Sequence, residues 1–596
     1  MSATDDLLVL GPLLRYVDDT SAAVWVETSD RATVSVTRGT GQWSAPTFAV
    51  HGHHYALVEL DGLEPGSTEA YTVSVDGHTV WPQVASPFPA PVIATLEPGR
   101  PLRMAFGSCR TSVSHDEKGN RTHGVDAMRA WALELAGQVE PVDADDDDLD
   151  PSRVPDLMLL LGDQVYADET TEAMQAFIES RRDIEQPPWK ELQDYEEYAH
   201  LYALAWSDPA NRWLLSTVPT SMIFDDHDIR DDWNTSQEWR RQMEATSWWH
   251  GRIVAGLASY WVYQHLGNLS PAERAQDEIW AQVRAHAGDD EHDLGEVLDA
   301  FADRVDQHPT TYRWSYTRDF DTQARLVVVD SRAARELEPD SRALLDRDEA
   351  AWLDEQLRGG VDHLLVGTSL PFLLARGLHH LEAFSEALAD GAWGERGGRF
   401  GEKVRQAVDL EHWGAFQKSF QEVAHQVMEV AAGERGPAPS TVTFLSGDVH
   451  HSYVSEARPT RHARREHRDK PLSSTILQAV CSPIRNPLSR NMRFATAVLS
   501  YGVAGPIGRL ASRSTRVPDA PLTWHYAEGP WFDNNLACLQ LKGPSLRMWW
   551  VTGKVVGGDH DRPRLAKVAH YALDDDGNPP PKEGVVSKAT RRFRKP

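Results

Sequence analysis

From residue 8 to 96 the apolar positions fall in short runs. Ala22-Ala23-Val24-Trp25-Val26-Glu27, Thr33-Val34-Ser35-Val36 and Tyr55-Ala56-Leu57-Val58-Glu59-Leu60 are β-type segments separated by Gly, Asp and Pro. Their spacing predicts a small antiparallel sandwich. Pro87-Phe88-Pro89-Ala90-Pro91 then forms a stiff linker. Beyond it the pattern changes: apolar β runs at 102–106, 157–161, 222–224, 326–329, 364–366 and 442–445 alternate with long helical stretches. That alternation predicts an α/β (α+β) domain in which helices flank β-sheets. A helical insertion is expected from about 235 to 310, and further β segments at 536–541 and 548–551. No internal repeat is present.

Length sets the domain count. The chain has 596 residues, 41% of them hydrophobic, with 21 Trp. This is too much for one ordinary core and ample for packed interiors, so a globular protein of two or three domains is expected. The divisions fall at residues 1–97, 98–460 and 461–596, the last either completing the second unit or capping its cleft. The Trp residues read as packing.

Charge and termini narrow the class. A formal net charge of -29 excludes general nucleic-acid coating, which needs a cationic surface. A small phosphate ester stays compatible, because a bound metal ion attracts it locally. The acidic run 143–150 reads as a solvated loop and the basic end 591–595 as frayed. Met1-Ser2-Ala3-Thr4-Asp5-Asp6 lacks the basic and apolar regions of a signal peptide. The stretch 495–510 is broken by Gly502, Gly505, Pro506 and Arg509 and makes a poor membrane span. With three cysteines, Cys109, Cys481 and Cys538, no disulfide framework is implied. A cytoplasmic protein without a membrane span is the expectation, export by another route staying open. No oligomeric state follows from the sequence.

The chemistry-bearing residues sit where β runs end, a common place for ligands in α/β proteins. Phe106-Gly107-Ser108-Cys109-Arg110 offers a thiolate beside a guanidinium. Gly162-Asp163-Gln164-Val165-Tyr166-Ala167-Asp168 offers a carboxylate and a phenol three residues later. Asp225-Asp226-His227-Asp228 places carboxylates around an imidazole, and Gly447-Asp448-Val449-His450-His451 ends a fourth run. In an extended strand Asp448 and His450 would share one side and His451 would face the other. Together these residues can hold two metal ions around one shared oxygen ligand. A thiolate and a phenolate suit trivalent iron; a carboxylate-rich position suits calcium, magnesium or manganese. Two adjacent ions generate hydroxide near neutral pH and clamp an in-line displacement at phosphorus.

At these motifs, with Asp330-Ser331-Arg332, the chain resembles the PhoD-type alkaline phosphatases (alkaline phosphatase D), a branch of the calcineurin-like metallophosphoesterases. The resemblance spans about 100–457. Gly11-Pro12-Leu13-Leu14-Arg15-Tyr16 followed by Trp25 is similar to the fibronectin-III-like sandwich that precedes such catalytic domains. The resemblance implies a metallophosphoesterase domain built on a β-sheet sandwich. It implies hydrolysis of phosphomonoesters, phosphodiesters or both, with a small phosphorylated substrate as partner. Cys109, Asp163, Tyr166 and His450 would surround a first metal, iron. Asp163 would bridge to a second, divalent ion, calcium before manganese, magnesium or zinc, held also by Asp448 and one or both of Asp226 and Asp231. His227 would be the general acid, and Arg110 and Arg332 would meet the equatorial phosphate oxygens. Arg230-Asp231-Asp232-Trp233-Asn234 stands where relatives often carry asparagines, which leaves the second ligand set open.

Blander readings compete. Alone, Cys109 is a small buried residue and Tyr166 a packed ring; their register with the other motifs favours ligands. The acids around His227 would raise its pKa and suit an acid role. Cys481 and Cys538 read as core, and His379 and His380 as part of a loop after Gly377. One alternative function is a metal-bearing binding protein without catalysis, although binding needs no proton donor. Another is a serine hydrolase at Gly367-Thr368-Ser369-Leu370-Pro371, where Pro371 replaces the glycine that a nucleophile elbow needs.

Overall fold

The computed structural model describes residues 7–142, 154–288, 292–338, 341–389, 392, 411–463, 471–488, 514–515 and 517–578. The acidic run 143–150, the stretch 495–510 and the basic end 591–595 lie outside the described residues.

The first unit is two antiparallel sheets facing each other. One pairs Leu8–Val17, Ala22–Thr28, His53–Leu60 and Phe48–Val50 in that order; the other includes Gly41–Pro46, Thr33–Arg38, Thr68–Val75 and His78–Trp81. Alternate side chains of Ala22–Thr28 serve two cores. Ala22, Val24 and Val26 pack inside the sandwich, whereas Ala23 and Trp25 join the main core of the molecule. Every residue of this strand is therefore buried. The linker is packed too: Phe88 stacks on Trp213 at 5.8 Å.

The rest of the chain is built on two larger sheets. In the six-stranded one, Thr220–Ile223, Leu157–Leu161 and Leu102–Gly107 run parallel, followed by antiparallel Leu536–Lys542, Ser545–Val556 and Asp559–Leu573. In the seven-stranded sheet, Ala324–Val329, His363–Thr368, Thr441–Ser446 and Thr475–Val480 are parallel, with antiparallel strands outside them. Alternation explains the layers. Leu326, Val328, Leu365, Leu445 and Leu477 share one core with Met104, Leu159 and Leu539 of the opposite sheet. Val327, Val329, Leu364, Val366, Val442 and Phe444 face the other way, toward the helix Gln417–Ala431. A Cβ on Gly367 would lie 3.2 Å from Leu159 Cδ2, so the two sheets are in direct contact. Strands from the last quarter of the chain thus complete both sheets.

The expected helical insertion contains Gln237–Glu244, Trp249–Tyr260, Glu278–His286 and Gly295–Gln307. One expectation fails here. His379 and His380 lie on the helix Arg376–Ala389, not in a loop, and His379 is buried. Among the described residues, no helix is long and apolar enough to cross a membrane.

Candidate metal centre

The four motif-bearing strands end beside one another, and the loops that follow are tightly locked. Cys109, Asp163, Asp448 and His450 have φ of 57°, 51°, 64° and 51°, a left-handed backbone that non-glycine residues rarely adopt. This corrects the strand-alternation expectation. The strand stops at Ser446, and Asp448 and His450 are aimed by turns. Two glycines allow the close approach: a Cβ on Gly447 would sit 2.0 Å from Ser108 Oγ, and one on Gly162 2.5 Å from Asp225 Cβ. Hydrogen bonds fasten the loops, with Cys109 N donating to the Gly162 carbonyl at 3.2 Å and Asp448 N to the Ser108 hydroxyl at 3.0 Å.

Three overlapping groups of ligand-type atoms result. Cys109, Asp163 and His450 form one, Asp163, Asp226 and His227 a second, and Asp225, Asp226 and Asp448 a third; within each, the atoms lie within 4.8 Å of one another. Tyr166 reaches the first group, its hydroxyl 3.4 Å from Asp163 Oδ2. The Ser108 and Ser482 hydroxyls lie 3.1 and 3.3 Å from Cys109 Sγ. Asp163, Cys109, Tyr166 and Asp226 are buried, while His227, Asp448 and His450 keep partial access to solvent. Asp231 is different. Its side chain is 63% exposed, and its carboxylate stands 3.9 Å from His227 Nε2 without joining any of the three groups.

The donor set fits metal ions. The buried oxygens Asp163 Oδ1 and Asp225 Oδ2 have no hydrogen-bond partner, a costly state that a coordinated cation relieves. Burial, and then mutual repulsion with Asp225, Asp226 and Asp228, hold Asp163 well above the usual carboxylate range against the opposing pull of His227. Burial likewise pushes Asp226 up to about 6, with Arg332 opposing it. For His450 burial lowers the value to about 4, so it stays neutral, the form that ligates. Burial, Asp163 and Asp448 together raise the Cys109 thiol.

Both arginines expected at the phosphate are engaged elsewhere. Arg110 faces Asp126 at 2.9 Å and donates to Ala205 O at 2.7 Å, inside the fold. Asp126 caps the helix Ala127–Leu135, so this guanidinium ties a helix start to the end of Tyr195–Trp206. Arg332 is fully buried and bonds Asp225, Asp226 (3.0 Å) and Glu411. Arg332 braces the Asp225-Asp226 pair.

His227 is held at one nitrogen. Asp168 grips Nδ1 at 2.9 and 3.0 Å. Burial disfavours the imidazolium, yet Asp168, Asp226 and Asp163 outweigh it and raise the pKa well above the ordinary histidine value.

Other residues at the centre are invisible to motif reading. His412 Nε2 lies 2.8 Å from Asp448 Oδ2 and its Nδ1 2.7 Å from Glu382 Oε1. Its neighbour Glu411 takes Arg332 and the Thr235 hydroxyl. Adjacent residues thus support all three carboxylates of the third group, His412 at Asp448 directly and Glu411 through Arg332 at Asp225 and Asp226. No strand end or spacing announces them. Asp168 did have a signal, since it closes the Gly162-to-Asp168 motif.

Comparison with known proteins fixes the family. Residues 149–497, more than half of the chain, match the model of the PhoD-like phosphatases. The chain belongs to that family. It is a phosphatase-type hydrolase of a metal-dependent family. Residues 5–93 match a domain of unknown function. A solved structure described as "Structure of PhoD" has the same fold, with a TM-score of 0.57 at 12% identity, covering 98% of this chain and 94% of that one. The type III pullulan hydrolase from Thermococcus kodakarensis, at 11% identity and covering 94% of this chain and 97% of its own, reaches a TM-score of only 0.13 and carries no argument. No curated protein matches the chain.

Proposed function

We propose that this PhoD-like phosphatase hydrolyses small phosphorylated substrates, monoesters, diesters or both, at a two-metal centre. The observation that carries the reading is the overlap of the three ligand groups, with Asp163 common to two and Asp226 to two. Cys109, Asp163, Tyr166 and His450 would hold iron, and Asp163, Asp226 and Asp448 a divalent ion, calcium first. Asp231, exposed at the rim, is left out of the second set. Bound there, the two ions would supply a hydroxide nucleophile near neutral pH and offset charge at phosphorus.

The chain's own residues do the rest. Asp168 fixes the orientation of His227, whose raised pKa keeps a proton on the ring. His227 donates that proton to the leaving-group oxygen as the ester bond breaks. Arg332 and His412 keep Asp226 and Asp448 in register, since a ligand is only as well aimed as its supports. His227 also separates this reading from a metal-bearing binding protein, for which a clamped proton donor has no use. Hydrolysis of an activated phosphomonoester and phosphodiester, followed while metals are removed by chelation and restored, tests the proposal. Turnover that is indifferent to chelation and to Asp163→Asn defeats it.

A further inference from the structure

The N-terminal sandwich reaches into the catalytic machinery through one buried arginine. Arg15, on Leu8–Val17, is 1% exposed. Its guanidinium donates to the carbonyls of Tyr263 (2.8 Å) and Gln264 (2.5 Å) and to Asn268 Oδ1 (3.2 Å). Those carbonyls belong to a π-helical turn, Trp261–His265, that continues the helix Trp249–Tyr260. Final helical carbonyls lack intrahelical partners, and a cation there satisfies them and complements the helix dipole. Gly267 makes room: a Cβ on it would lie 2.3 Å from Arg15 Nε.

Two of the three acceptors lead to the candidate centre. Gln264 donates its amide to Asp228 Oδ1 at 3.2 Å. Asp228 Oδ2 in turn accepts from Asp163 N at 2.8 Å and from Asp225 N at 2.9 Å. Asp163 holds a left-handed backbone, which persists only where its surroundings over-determine it. Asn268 takes the other route. Its Oδ1 accepts from Met222 N at 2.8 Å and its Nδ2 donates to Met222 O at 2.6 Å. It stands in for a neighbouring strand at the edge of Thr220–Ile223, the strand that delivers Asp226 and His227. π-Helical turns occur often at functional sites, and here the turn lets one side chain address both loops.

We propose that the N-terminal sandwich is a working part of the hydrolase: Arg15 and Gln264 are positioning residues that hold the Asp163 and Asp225–Asp228 loops in ligand geometry. The inference rests on reading Asp163 and Asp226 as metal ligands. Its test uses the full chain with Arg15→Met and Gln264→Met, the second nearly isosteric and leaving the sandwich contact intact. Amide hydrogen exchange is followed by mass spectrometry over residues 162–168 and 222–228, together with metal per chain, kcat and KM. In Gln264→Met, exchange over 162–168 is expected to quicken. Metal affinity and kcat should fall about 10- to 100-fold, as for other residues behind a metal ligand, with KM little changed. Arg15→Met should quicken both segments. If exchange there matches the parent protein in both variants, and only residues 8–17 and 249–268 loosen, the proposal is overturned. Should Arg15→Met fail to fold, Gln264→Met decides alone. A parent protein that binds no metal and cleaves no phosphoester would remove the functional reading, while the exchange result still decides the bracing.

Discussion

The two halves of the candidate centre are built differently. Around Cys109, Asp163 and His450 the geometry comes from backbone: left-handed turns straight after strand ends, two glycines that permit contact, and hydroxyls of Ser108 and Ser482 on the sulfur. Around Asp226 and Asp448, the latter also left-handed at φ 64°, distant side chains are added to such turns. Arg332, Glu411, His412 and Glu382 supply the order there, and none is near these aspartates in sequence. Changes to those four side chains are therefore expected to disturb the second half before the first.

The largest expected effect belongs to the residue common to both halves. Asp163→Asn should lower kcat/KM on the order of 10³-fold or more, since several kcal/mol of charge stabilisation go with the metals, and metal analysis should show both ions weakened. His227→Ala is expected to cost about 10²- to 10⁴-fold. Its loss should shrink when a nitrophenolate replaces an alkoxide, because that leaving group needs no proton; equal losses on both substrates would deny it the acid role. His412→Gln separates the halves most sharply. It should cost about 10- to 100-fold and release the second ion while the first stays, so simultaneous loss of both would show the halves to be one unit.

A smaller effect is expected in pH dependence. The Asp168 carboxylate raises the His227 pKa, and a general acid works only while protonated, so activity falls as pH rises through that value. Asp168→Asn removes a raising charge, and the alkaline limb of the rate profile should move to lower pH. A limb that stays put, or moves up, breaks the pairing. Arg110→Met should leave kcat of the folded protein nearly unchanged. Stability, read by thermal melting, should fall by about 3–5 kcal/mol, because buried Asp126 keeps its helix-cap bonds but loses its guanidinium counter-ion.

Much of this contrast traces back to what a sequence can encode locally. The six β runs read from apolar patterning all became strands, since fully buried parallel strands are continuous hydrophobic runs. Ligand-type residues at their ends were legible for the same reason: a strand end is a local event. Strand alternation nevertheless misdescribed Asp448 and His450, because positive φ at non-glycine residues leaves no compositional mark. The sequence places Arg110 and Arg332 beside the motifs, while their partners Asp126 and Glu411 come from helices and connections that no motif announces. His412 stayed silent on the same grounds. It meets Asp448 from 36 residues away, and no pattern in between announces the contact.

On the proposed reading, Cys109 and Tyr166 face one ion of a two-metal phosphoesterase centre. Metal analysis of natively purified protein, combined with its visible spectrum before and after Tyr166→Phe, tests this most directly. Two metal equivalents per chain are expected, iron among them, with a visible ligand-to-iron charge-transfer band that shifts or weakens in the variant. Fully active protein with no iron, or with a band that Tyr166→Phe leaves unchanged, would contradict it.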